Sequence, residues 1–190
     1  MARTGERKQQ ILQTLASMLE DPKGERITTA LLAARLDVSE AALYRHFASK
    51  AQMYEGLIEF IETTVFSLVN RIQADEADPM KQVEATVATL LGFAAKNPGM
   101  SRVLIGDALV NEDERLQARV NQLLDRLEAS LRQSARLAVT SGALPADWDA
   151  NAYANAVIAF VVGRWHQFAK SGFRRPPMEN WPQQWRVFAA

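Results

Sequence analysis

Residues 28–50, TTALLAARLDVSEAALYRHFASK, decide the fold. They read as two short helices joined by a tight turn. Thr28 and Thr29 suit a helix N-cap, where a side-chain oxygen accepts from an otherwise unpaired backbone N–H. Leu31, Leu32 and Leu36 follow at helical spacing. The first helix should stop near Leu36 and Asp37, at a residue that tolerates a left-handed backbone. Ser39 caps a second helix, and Glu40 in its first turn is favoured by the helix dipole. Leu43 and Phe47, four apart, form a buried stripe. Ala41 and Arg45 point the other way, with Tyr44 and His46 on the flanks. A short helix with a small-residue, arginine-bearing outer face fits a DNA major groove, which admits one α-helix. The pattern predicts a helix-turn-helix whose recognition helix runs over 40–46.

On the N-terminal side, Ile11, Leu12, Leu15, Ala16 and Leu19 have helical period. They predict a supporting helix from about Glu6 to Glu20, ended by the breakers Asp21, Pro22, Lys23 and Gly24. Arg3, Arg7 and Lys8 ahead of it form a short basic arm, the kind that lies along phosphates or hangs in solvent. On the C-terminal side, Ser49 and Gln52 make a capping box, so a long helix starts at Lys50 and runs to about Ala74. Met53, Leu57, Ile61, Val65, Leu68 and Ile72 read as its buried stripe, with Glu55, Glu59 and Glu62 opposite. Phe66 falls among those glutamates and Phe60 at the edge of the stripe. Either neighbouring helices cover these rings or they offer an apolar docking spot to a partner.

Asp78-Pro79 starts the next helix, with proline at its favoured first position. It carries Val83, Val87, Leu90, Leu91 and Phe93 and must end at Asn97-Pro98-Gly99. A short helix over about 100–109 and a long one over about 112–140 follow, the latter with Leu116, Val120, Leu123, Leu127 and Leu131. After the Gly142–Pro145 break, a helix over about 149–171 carries a row of small residues, Ala152, Ala156, Ala159 and Gly163, beside the bulkier Tyr153, Val157, Phe160 and Val161. Such a row lets two helices approach closely. Two long late helices of this kind suit either a four-helix interface with a second copy or a plain intramolecular core. A last helix over about 179–190 carries Trp181 and Trp185.

The 190 residues suit one two-part protein that buries about 70% of its unfolded surface. Formal net charge is zero but unevenly spread: residues 1–50 carry eight Lys/Arg against six Asp/Glu, 51–100 three against seven, and 151–190 five against one. DNA affinity must therefore come from local placement of cations. There is no cysteine, so neither disulfides nor thiolate chemistry enter. The N-terminus lacks an apolar signal core and no stretch reaches a membrane span, which points to the cytoplasm. His46 and His166, the two histidines, have no ligands at metal spacing. No phosphate loop or nucleophile elbow is present. The expectation is a non-enzyme with no metal and no cofactor.

Leu43, Tyr44, His46, Phe47 and Lys50 resemble the DNA-binding signature of the TetR family, in which a Leu-Tyr-x-His-Phe run is followed by Lys at the next helix start. Asp37 departs from the family's usual Gly, at modest cost. LIEFIE, LLGFAAKNPGMSRVLIGDAL and RLQARVNQLLDRLEASLRQ extend the resemblance, over about residues 10–133, to the nucleoid-occlusion members of that family. It implies an all-α chain: a three-helix DNA-binding domain over 1–50 and a larger helical dimerisation and partner-binding domain over 51–190. It also implies a homodimer, singly or several to a site, on palindromic double-stranded DNA, associated with the nucleoid and antagonising polymers of the division protein FtsZ. By family position, Thr28, Thr29, Tyr44, His46 and Lys50 hold phosphates, while Ser39, Glu40, Ala41, Ala42 and Arg45 face base edges or nearby backbone. For FtsZ the expected residues are Phe60, Phe66, Gly92, Lys96 and Asn97; for pairing, Ala152, Ala156, Ala159 and Gly163. Two alternatives stand beside this: a TetR-type repressor gated by a small molecule among the middle helices, and a helical interaction protein with no DNA role.

Overall fold

Side-chain caps set most of the helix starts. The computed structural model describes residues 4–21 and 27–189, and every regular element among them is helical. The order is α1 (Thr4–Met18), α2 (Thr29–Arg35), α3 (Glu40–Tyr44), α4 (Lys50–Asp75), α5 (Pro79–Lys96), α6 (Pro98–Leu104), a 3-10 turn (Asp107–Leu109), α7 (Glu114–Thr140), α8 (Ala150–Lys170) and α9 (Trp181–Phe188). Thr28 accepts from the Leu31 amide, Ser39 from Ala42 and Ser49 from Gln52. Asp78, Asp113 and Asp149 do the same for α5, α7 and α8. Asp37 sits at φ 53° between α2 and α3, the left-handed turn expected of it.

Several boundaries differ from the sequence reading. The recognition helix ends at Tyr44, with Arg45 as its cap, rather than running to His46. Helix α1 begins at Thr4, so Arg7 and Lys8 are helical rather than part of a free arm, and the Lys8 ammonium lies 5.5 Å from the centre of the Phe47 ring. Arg3 and the breaker at residues 22–24 lie outside the described residues. The helix expected over 100–109 is broken at Gly106, whose φ of 77° closes α6 and leaves a single 3-10 turn.

The head is α1, α2 and α3, closed by Ile11, Leu15, Leu32, Leu43 and Phe47. Leu31 does not join them: it is 49% exposed, because α2 has under two turns and one side on α1, which Leu32 and Ala33 occupy. The body is built from α4, α5, α7 and α8 around Met53, Leu57, Ile61, Val65, Val87, Leu90, Leu123, Leu127 and Val161. On α4 the buried row continues from Val65 to Val69 instead of Leu68, which is 41% exposed. Rows of i and i+4 residues drift around a 3.6-residue helix, and α4 crosses its neighbours along that drift. Two hydrogen bonds tie helices together inside the body. Trp165 donates its indole N–H to the Leu90 carbonyl at 3.1 Å, and Ser134 donates to Gln82 at 2.9 Å.

Head meets body where α1 lies against α4 and α6. Gly99 approaches α1 so closely that a Cβ there would fall 2.0 Å from the Ala16 carbonyl oxygen. Arg102, one turn on, donates to the carbonyls of Leu19 (3.4 Å) and Asp21 (3.2 Å) and to Asp107 at 2.9 Å. Lys170 at the end of α8 also binds Asp107. Burial pushes the Asp107 carboxyl up, but hydrogen bonds and charge from Lys170 and Arg102 outweigh it and hold it below the usual aspartate range.

Gly99→Ala should therefore destabilise the protein by at least about 2 kcal/mol in a denaturant melt, because backbone rather than a flexible side chain must move. Asp107→Asn should cost about 1–2 kcal/mol near neutral pH. Since the folded pKa is depressed, that contribution is present above the unfolded value of about 3.9 and fades as pH falls through the lower folded one. Melts of wild type and variant should thus converge in acid.

Candidate DNA-binding head and partner groove

The outward side of the head gathers the residues of the helix-turn-helix signature. Ser39, Glu40, Ala41, Tyr44 and Arg45 are exposed on or beside α3, and Ala42 is half-buried. Thr28 is exposed at the start of α2, and Thr29 beside it bridges to α3. The Thr29 hydroxyl donates to the Glu40 carboxylate at 2.5 Å, and the Tyr44 hydroxyl donates to Thr29 at 3.5 Å. This small network fixes the angle between the two helices on their exposed side, while Leu32 and Leu43 fix it from beneath. His46 is half-buried, with Nδ1 enclosed and unpaired. Lys50 is engaged elsewhere: its ammonium lies 2.5 Å from the Glu112 carboxylate and 5.6 Å from the centre of the Tyr54 ring.

Four of the five residues expected to bind a partner protein come together. Phe60 on α4, Gly92 and Lys96 on α5, and Asn97 at its end line one open groove of about 520 Å³. Phe60 is 47% exposed, and a Cβ at Gly92 would meet no atom within 4 Å. Asn97 is held in place by donating its side-chain amide to the Phe93 carbonyl at 2.8 Å. Thr64, Leu68, Ala88, Thr89 and Phe93 complete the lining, and the sequence alone assigns none of them to a partner site. The spacing of Phe60, Thr64 and Leu68 carries the signal, but it is hidden while Leu68 is counted as core.

Phe66 does not reach this groove. It faces α7, where the Arg126 guanidinium stacks 3.9 Å from the ring centre. The same side of α4 holds Glu62. Arg119 on α7 binds Glu62 at 2.6 Å and donates to the Glu55 carbonyl at 3.3 Å. The Glu62 hydrogen bond raises the Arg119 pKa. Glu62 and Phe66 on this side of α4 thus meet arginines of α7, while Glu59 is exposed.

The small-residue row is exposed. Ala152, Ala156, Ala159 and Gly163 all face outward on α8, while Tyr153, Val157 and Val161 turn inward and Phe160 packs on Trp181 and Phe188 of α9. Tyr153 donates to the Phe188 carbonyl at 3.0 Å, and Arg164 donates to the carbonyls of Pro176, Pro177 and Glu179, so α9 covers one side of α8 and leaves the other open. That open side, with Leu124 and Glu128 of α7 and His166, borders a shallow depression of about 640 Å³. Among the described residues no cluster of three or more His, Cys, Asp or Glu could hold a metal, and no helix is long and apolar enough to cross a membrane.

A helix-turn-helix head on a helical body with an open α7–α8 side defines a TetR-type regulator. Residues 24–57 match the family described as bacterial regulatory proteins, tetR family, and residues 77–190 match the SlmA-like model described as tetracyclin repressor-like, C-terminal domain. The fold is similar to that of the transcriptional regulator FadR from Bacillus subtilis in complex with stearoyl-CoA (TM-score 0.75, 12% identity, 96% of this chain and 97% of that one). It is equally similar to AibR in complex with isovaleryl coenzyme A and operator DNA (TM-score 0.75, 18% identity, 95% and 97%). Closer in sequence is the nucleoid occlusion factor SlmA of Marinomonas sp. (strain MWYL1), 49% identical over 184 residues, 97% of this chain and 93% of that protein. The SlmA of Shewanella oneidensis is 48% identical over 180 residues, 95% and 91%. The chain belongs to the SlmA family of nucleoid occlusion factors. It is a regulator and not an enzyme.

The two phenylalanines of α4 should separate in a stability assay. Phe66→Ala should cost about 2 kcal/mol, less than the about 3–5 of a fully buried ring, because it loses both packing and the Arg126 stack. Phe60→Ala should stay within about 0.5 kcal/mol, as an exposed side chain does.

Proposed function

We propose that this protein acts in nucleoid occlusion with two separate surfaces. A homodimer paired through α7 and α8 binds palindromic chromosomal sites with its two heads, and the α4–α5 groove of the bound protein takes FtsZ and antagonises its polymers, keeping septa off the nucleoid. The division of labour follows two units, residues 1–50 for DNA and 51–190 for pairing and partner binding. Arg45 reads a base edge, most naturally guanine, with Ser39, Glu40, Ala41 and Ala42 beside it. Thr28, Thr29, Tyr44, His46 and Lys50 serve the phosphates and set register.

The observation that carries the FtsZ reading is the groove. Phe60 and the Gly92–Asn97 turn of α5 are more than thirty positions apart in sequence, yet they border one apolar trough with a single cation, Lys96, at its edge. An exposed apolar trough beside a charge is what a short segment of another protein needs in order to dock. CoA-ester complexes among proteins of like fold favour the repressor alternative, but those likenesses lie below 20% identity and concern the fold.

Sedimentation of FtsZ polymers with the protein and its recovered chromosomal sites tests the reading. Gly92→Arg should fill the groove without disturbing the core, leave DNA affinity unchanged and abolish the antagonism. Arg45→Ala should keep the groove and lose discrimination at one position per half-site, worth roughly 1–3 kcal/mol. Gly163→Arg, where a Cβ meets nothing in the protomer, should yield folded monomers with little specific affinity. If Gly92→Arg still antagonises FtsZ, and a small molecule releases the wild type from DNA, the ligand-gated repressor is the better account.

A further inference from the structure

Lys50 is the first residue of α4, where the unpaired amides and the helix dipole already present positive charge. A cation there is at a disadvantage, and the first turn of α4 contains no acidic residue to offset it. The balancing charge comes from 62 positions away. Glu112, in the loop between the 3-10 turn and α7, places its carboxylate 2.5 Å from the Lys50 ammonium. The side chains are only 21% and 12% exposed, so solvent screens the pair less than a surface contact. Tyr54, one turn along α4, flanks the ammonium with its ring at 5.6 Å. Arg102, whose charge also acts on Tyr54, is already committed to Asp107 and to the carbonyls of Leu19 and Asp21.

We propose that Glu112 stands in for a DNA phosphate at Lys50, a carboxylate from the body that holds the lysine of the head and competes with DNA for it. The inference rests on the DNA reading above. A phosphate and a carboxylate ask the same of this place: an ammonium donor at a helix N-terminus. Both cannot have it without like-charge repulsion. A phosphate that takes Lys50 must displace Glu112, and the cost of displacing it weakens DNA binding relative to a chain without that charge. Glu112 is therefore a positioning residue that sets the overall strength of DNA binding while reading no base. It also links the head to the body. Glu112 lies between Asn111, in the left-handed region at φ 65°, and Asp113, which caps α7. Displacing it changes the loop that starts α7, and a change there must in turn alter DNA affinity by the same factor.

The test uses the full chain, a labelled duplex of random sequence and a salt titration. Glu112→Gln keeps the shape and removes the charge. It should bind about fivefold tighter, the factor of one like-charge contact at about 4 Å in water. Its salt slope should steepen by up to about 0.9, one phosphate's worth. Lys50→Gln should erase that gain, so that the double variant binds like Lys50→Gln alone. A merely structural ion pair predicts the reverse: Glu112→Gln with lower melting temperature and equal or weaker binding, which would overturn the proposal. Hydrogen exchange on the wild type provides a check independent of any variant. Amides 110–113 should exchange faster with duplex bound, and unchanged or slower exchange would also overturn it. If the wild type shows no salt-dependent binding to any duplex, the DNA reading itself has failed; if it binds and Glu112→Gln gains nothing, only the role of Glu112 has.

Discussion

The DNA head has its place because α1 is clamped against the body on two sides. Gly99 of α6 lies on the Ala16 carbonyl with no room for a Cβ, and Arg102 donates to the carbonyls that follow the end of α1. On the other side Leu12 of α1 fits against Gly56 of α4, where an added Cβ would come within 3.1 Å of it. Close-packed contacts of this kind switch between discrete arrangements rather than deform smoothly. The consequences run along α4. Its first residue belongs to the helix-turn-helix signature, its second turn packs on α1, and its middle forms one wall of the partner groove. A single 26-residue helix thus runs from the helix-turn-helix head to the α4–α5 groove, the surface proposed for FtsZ.

Charge is organised around the same helix. One side of α4 is covered by α7, with Glu62 bound to Arg119 and Phe66 under Arg126, so the negative balance of residues 51–100 is partly an internal matter. The groove side keeps Phe60 and Leu68 open. On α8 the arrangement is similar: the bulky apolar residues Tyr153, Val157 and Val161 turn inward and Phe160 turns toward α9, and the small row faces out beside polar residues such as Asn155 and His166.

Local chemistry was legible in the sequence and long-range chemistry was not. The caps at Thr28, Ser39, Ser49 and Asp78, the left-handed Asp37 and the Asn97-Pro98-Gly99 stop depend on residues within three or four positions, and each stands where the sequence puts it. Leu68 reads as core in the sequence and is exposed, because a hydrophobic period fixes which residues share a face, while the partner helices decide how wide that face is. The break at Gly106 went unseen for a related reason: glycine permits a positive φ, and only the turn against α7 demands it. Of the groove, Phe60, Gly92, Lys96 and Asn97 were named in advance through resemblance, but their meeting in one trough is a tertiary fact. Lys50 to Glu112 and Arg119 to Glu62 join residues 62 and 57 positions apart, and no local pattern foretells such pairs.

The account's central claim is that DNA and FtsZ occupy different faces of one rigid body at the same time. Hydrogen exchange of the protein bound to one of its chromosomal sites, measured before and after FtsZ is added, tests this most directly. The account predicts new protection on the groove faces of α4 and α5, around residues 60–68 and 88–97, with the protection of α2 and α3 by DNA retained. Loss of protection at α2 and α3 on adding FtsZ, or new protection confined to α8, would contradict it.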